Sequence, residues 1–137
     1  MPNFTKSELK VDSLAINLLP VELSAAATLT ALQNGTTFLL TGVVGYAITL
    51  PAPAAGLKYK FVVQDLFATT DWVITATGAI MYGTVMEAST VQAVAGATTI
   101  NLELAADTIG DWVEVESDGT NWYVSGACAQ AASVTPA

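Results

Sequence analysis

Histidine and arginine are both missing from this 137-residue sequence, and cysteine occurs once. Without histidine the chain lacks the commonest general base and the commonest metal ligand. The basic residues are four lysines, Lys6, Lys10, Lys58 and Lys60, against twelve carboxylates, for a net charge of −8. Nucleic-acid binding needs a basic footprint, so that class is excluded. An anionic membrane surface is excluded for the same reason. The single Cys128 rules out an intrachain disulfide, and with no histidine to act as its base it is read as structural or incidental. Charge of either sign is scarce, at 12% of residues.

What is abundant is apolar. The sequence is 53% hydrophobic, with a mean hydropathy of +0.53. That is ample to offset the entropy of ordering, and the length fits one domain with a real core. So few charges cannot coat an ordinary monomer. Thr, Ser, Gly and Ala must cover much of the surface, or part of it must be buried against another chain. Leu23 to Leu57 holds no charged residue, but Gln33, Asn34, repeated glycines and two prolines interrupt it, so it is not a membrane span. Met1 to Lys10 has charges and no apolar core, unlike a signal peptide, and the glycosylation patterns at Asn3 and Asn34 are read as chance.

The stretch Gly110–Gly126 carries the strongest local signal. Val113 and Val115 alternate with Glu114 and Glu116, and Trp122 and Val124 alternate with Tyr123 and Ser125. Period two puts Val113, Val115, Trp122 and Val124 inward. Asp118-Gly119 between the arms predicts a hairpin turn. Similar reasoning predicts strands over 28–32, 37–40, 46–50, 59–64, 72–77, 80–82 and 98–104. Asn34-Gly35 would close a hairpin between the first two. Residues 84–96 read as a long excursion or a weakly paired edge. The sum is an all-β domain of about eight or nine short strands, a single β-sandwich or jelly-roll or a barrel, with no repeat in the solenoid range. Residues 1–24 are expected to form an extended N-terminal arm, 25–126 the body, and 127–137 a flexible tail.

Two groups of side chains could carry chemistry. Glu103, Asp107, Asp111, Glu114, Glu116 and Asp118 form an acidic cluster. Its spacing is not that of an EF-hand loop, and its simplest reading is a solvated face, with calcium binding or a carboxylate pair for glycoside hydrolysis as alternatives. The aromatics Trp72, Trp112, Trp122, Tyr46, Tyr59, Tyr82 and Tyr123 sit in strand patterns. They read as core or subunit interface rather than sugar platforms, with Trp112 and Tyr123 the most exposed. Gly42-Val-Val-Gly45 lacks the lysine of a phosphate loop. No catalytic residue, cofactor site or metal site is assigned.

Three stretches resemble virion proteins of tailed phages: Thr28–Phe38, Ile48–Phe61 with its Leu-Pro-x-Pro-x-x-Gly phrase, and Gly110–Gly126 with Ser-Asp-Gly-x-x-Trp. The likeness is to the small capsid decoration, or cement, proteins on the head outer surface. It implies a β-sandwich or tulip-like body made in the host cytoplasm, homotrimers on the outer capsid, and an arm reaching across subunits of the major capsid protein. The implied function is mechanical, bridging neighbouring capsid subunits against the pressure of packaged DNA. The family supplies no catalytic residue. The interface residues expected on the arm are Phe4, Leu9, Val11, Leu14, Leu18 and Leu19. The same phrases are similar to parts of tail-fibre and head-fibre modules, which would bind host-surface glycans.

Overall fold

The computed structural model describes residues 19–137. Twelve strands run in chain order: β1 (Val21–Leu23), β2 (Ala27–Thr28), β3 (Thr37–Leu40), β4 (Ala47–Thr49), β5 (Lys58–Val63), β6 (Trp72–Thr75), β7 (Met81–Glu87), β8 (Thr90–Ala97), β9 (Thr99–Leu102), β10 (Trp112–Ser117), β11 (Trp122–Cys128) and β12 (Val134–Pro136). The only helical turn among the described residues is a 3-10 turn at Ala31–Gln33. A seven-stranded sheet has the order β1-β3-β5-β10-β11-β7-β8, and a five-stranded sheet the order β12-β9-β6-β4-β2. Both have open edges, so the architecture is an all-β sandwich, and the barrel form of the expectation is corrected.

The first half of the chain alternates between sheets. β1, β3 and β5 pair in parallel in one, while β2, β4 and β6 pair in parallel in the other. Each β-strand pair is thus one coil of a short two-sheet solenoid, three coils long, in which like residues stack. Val21, Phe38 and Phe61 share one row, and the Phe38 and Phe61 rings stack at 5.7 Å between centroids. Ile48 and Ile74 stack in the other sheet. The coils are unequal: Phe38 follows Val21 by 17 residues, and Phe61 follows Phe38 by 23. Hence no repeat is visible in the sequence. Parallel pairing also sets the fold apart from the all-antiparallel Greek keys of a jelly roll.

This winding corrects one expectation. Asn34-Gly35 does not close a hairpin, because β2 and β3 lie in different sheets. Gly35 has φ 80 and its N–H donates to Lys58 O at 2.8 Å, while Asn34 Oδ1 accepts the Lys58 N–H at 2.8 Å. The turn is pinned to the start of the next coil instead. Residues 29–32, read as strand, leave β2 for the 3-10 turn, where the Thr30 N–H donates to Gln33 Oε1 at 2.8 Å.

The second half adds hairpins. β10 and β11 form the antiparallel pair expected from the sequence, in the register Val115 opposite Val124. Val113, Val115, Trp122 and Val124 are buried as the alternation predicts. β7 and β8 form a second hairpin where an excursion or edge was expected, and β8 is the sheet edge. The tail differs most from expectation. β11 runs on to Cys128, and Val134–Pro136 pairs with β9, burying Val134. β1 likewise belongs to the sheet, although it falls within the range assigned to the arm.

The core lies between the sheets, around Phe38, Tyr59, Phe61, Trp72, Trp122 and Met81. The outer face of the five-stranded sheet carries Thr28, Thr49, Thr75 and Thr99 as one row. Hydroxyls there do the surface work that charges do elsewhere, in line with the scarcity of charge.

Candidate functional site

Of the six expected interface residues, Phe4, Leu9, Val11, Leu14 and Leu18 lie outside the described residues. Leu19 is 67% exposed, just ahead of β1.

The acidic residues are dispersed into separate backbone clips. Asp107 Oδ2 accepts the Phe67 N–H at 2.9 Å. Asp111 accepts the Ala129 N–H at 2.8 Å and the Thr108 N–H at 3.1 Å. Asp118 Oδ1 accepts the N–H groups of Thr120 and Asn121, and its Oδ2 accepts the Tyr123 hydroxyl. Glu114 pairs with Lys58 at 3.1 Å. A carboxylate holding two amides at a turn acts as a staple. Asp71 and Asp65 each hold a single amide, that of Leu104 and that of Gly42 respectively. Among the described residues, no three Cys, Asp or Glu side chains converge where they could hold a metal ion.

Glu87 was no sequence candidate, yet it is the most telling carboxylate. It is buried at the end of β7, and its two oxygens accept the N–H groups of Val134 at 2.6 Å and Ala132 at 3.0 Å. Nothing in the local sequence marks it, because its partners lie 45 and 47 residues away. Cys128 is buried nearby. Burial first, then the Asp111 and Glu87 charges, push its thiol up to about 12. It stays protonated at neutral pH and is a poor nucleophile.

Of the two aromatics expected to be most exposed, Tyr123 is exposed and Trp112 is half-buried, while Tyr82 is exposed as well. Trp72, Trp122 and Tyr59 are fully buried. Tyr59 donates to Thr30 O at 2.8 Å, and burial raises its phenol above the ordinary range. Tyr82 and Tyr123 stand opposite each other on the outer face of the seven-stranded sheet, both exposed. Trp112 is half-buried there, with Lys60 Nζ 4.6 Å above its ring. A cation over an indole face is attracted by its quadrupole.

That outer face is the most distinctive surface of the molecule. Register places Leu39, Val62, Trp112, Ala127, Met86 and Val91 in a single row across six strands. All six are apolar, and Met86 and Val91 are each 61% exposed. The row spans about 24 Å at ~4.8 Å per strand. Its flanks are asymmetric. Lys58, Lys60, Glu114 and Glu116 lie toward β5 and β10, whereas the outward residues of β11, β7 and β8 carry no charge. The edge strand β8 has neither lysine nor proline, the devices that usually blunt an open edge.

No family model, curated protein or solved structure matches the chain.

A surface hollow of about 390 Å³ is lined by Ala76, Gly78, Ala79, Ile80, Thr98, Thr120 and Asn121. Another, of about 290 Å³, lies along β8 and the C-terminus, between Gln92 and Ala137. Neither lining includes a Cys, Asp, Glu, Lys or Tyr side chain. What the described surface offers is contact area: one face with a continuous apolar row and a half without charge.

Proposed function

We propose that the chain is a structural virion protein, not an enzyme. It binds the outer surface of an icosahedral phage capsid and stabilises it by bridging neighbouring capsid subunits, as a homotrimer. The observation that carries this reading is the outer face of the seven-stranded sheet. Its apolar row and charge-free half fit a broad contact with other protein subunits, since apolar patches of this kind mark interaction sites. Many modest contacts repeated over a lattice give avidity without a single strong site. The sequence resemblance to decoration proteins supports the same reading, and so does the absence of histidine and arginine. Six carboxylates of the described body, Asp65, Asp71, Glu87, Asp107, Asp111 and Asp118, hold backbone amides and serve the structure.

The test is removal of residues 1–20. The account expects loss of capsid binding with a body that remains folded by circular dichroism. Unchanged binding would remove the arm from the bridging role.

A fibre module that binds host glycans is the second reading, and exposed Tyr82 and Tyr123 side by side favour it. Aromatic faces stack on sugars. In that case Tyr123→Ala lowers host adsorption and leaves capsid stability unchanged.

A further inference from the structure

Apart from Lys60, whose Nζ lies over the Trp112 ring, no described residue covers the apolar row on the seven-stranded sheet. Leu39, Val62, Trp112 and Ala127 are half-buried by one another, while Met86 and Val91 stand open. The row begins beside β1, at the position paired with Glu22. The chain enters the described body at that same edge, through exposed Leu19 and Pro20. Eighteen residues precede Leu19.

Their length suits the row. From β1 to β8 the sheet is about 29 Å wide at ~4.8 Å per strand. Eighteen extended residues reach about 60 Å at ~3.3 Å each, so half of them suffice. Their chemistry suits it as well. Leu14, Ile16 and Leu18 alternate with Ala15 and Asn17, giving an extended segment one apolar side. Lys6, Glu8, Lys10 and Asp12 sum to no net charge, whereas the body holds all eight excess negative charges. The segment therefore approaches without net repulsion.

We propose that in the free protein residues 1–18 lie across the outer face of their own seven-stranded sheet, with Leu14, Ile16 and Leu18 seated on the row centred at Trp112. Tethering favours the same chain over a second copy, because a short linker holds the segment at millimolar effective concentration. The seat exists whether or not the protein decorates a capsid. On a particle, the segment would leave it to reach a neighbour and would uncover the row as it does so.

Trp112 reports on the seat directly. It is the one partly exposed tryptophan, since Trp72 and Trp122 are fully buried. The experiment is acrylamide quenching of tryptophan fluorescence in the full chain, compared with the full-length variant Leu14→Asp/Ile16→Asp/Leu18→Asp. A second full-length variant, Met86→Asp/Val91→Asp, alters the row at exposed positions. Far-ultraviolet dichroism checks that each is folded, and Trp112→Phe identifies the quenchable component. The expected result is a Trp112 shielded in the parent and quenched more strongly, with red-shifted emission, in both variants. Shielding is also expected to survive dilution through a range where light scattering gives a monomer. Equal quenching in parent and variants would overturn the proposal. Shielding lost on dilution, together with a fall in mass, would also overturn it, by assigning the row to a second copy.

Discussion

The Glu87 carboxylate accepts the Val134 N–H at 2.6 Å, joining the end of β7 in one sheet to β12 in the other. With Ala132 held by the other oxygen, one buried side chain ties the start of the C-terminal strand to β7, beside the pairing of β12 with β9. Glu87→Ala leaves two amides without their acceptor in a buried site. Losing charge-assisted hydrogen bonds of this kind costs about 2–3 kcal/mol. Urea denaturation should show that loss, and hydrogen exchange should show the amides of residues 132–136 deprotected before the rest of the core. Unchanged protection there would mean that β12 is held by its pairing with β9 alone.

Gly83 lies tight against the backbone of the neighbouring strand β11. It sits at φ 148 opposite Val124, and a Cβ built on it would overlap the Val124 backbone, carbonyl included. Gly83→Ala therefore meets both an unfavourable conformation and a collision between paired strands. Substitutions at such positions destabilise by more than about 1 kcal/mol. The expected outcome is a lower thermal midpoint with the fold retained. An equal or higher midpoint would show that β7 and β11 can separate without loss.

The turn at Asp118 predicts a pH dependence. The N–H groups of Asn121 and Thr120, then the Tyr123 hydroxyl, hold its carboxyl below the ordinary carboxylate range. A folded pKa below the unfolded one contributes stability that is present above about pH 4 and is lost as pH falls through the folded value. Asp111 acts with the opposite sign: burial raises its pKa, so its destabilising contribution at neutral pH disappears in acid. Asp118→Asn should accordingly be less stable than the parent at pH 6, with the gap closing toward pH 2. A gap constant across that range would show that the charge on Asp118 plays no part.

The hairpin of β10 and β11 was legible in the sequence because its information is local. Val113, Val115, Trp122 and Val124 announce their face by period two, and Asp118-Gly119 announces the turn. The same local reasoning fails at Asn34-Gly35, where the turn is genuine but the following strand pairs with other coils. Coils of unequal length hid the solenoid winding. The pairing of the tail is not legible in the sequence because Val134 is held by Glu87, a contact 47 residues distant that no local pattern encodes. The apolar row was out of reach for a similar reason. Leu39, Val62, Trp112, Ala127, Met86 and Val91 become neighbours only when the register of six strands is known.

The measurement closest to the central claim is copy number on purified particles. Phage virions are banded on a density gradient, and this chain is quantified against the major capsid protein. The account predicts a copy number close to that of the capsid protein, as a lattice-covering decoration requires. A handful of copies per particle would contradict it in favour of a fibre or vertex component, and absence from particles would refute a virion role altogether.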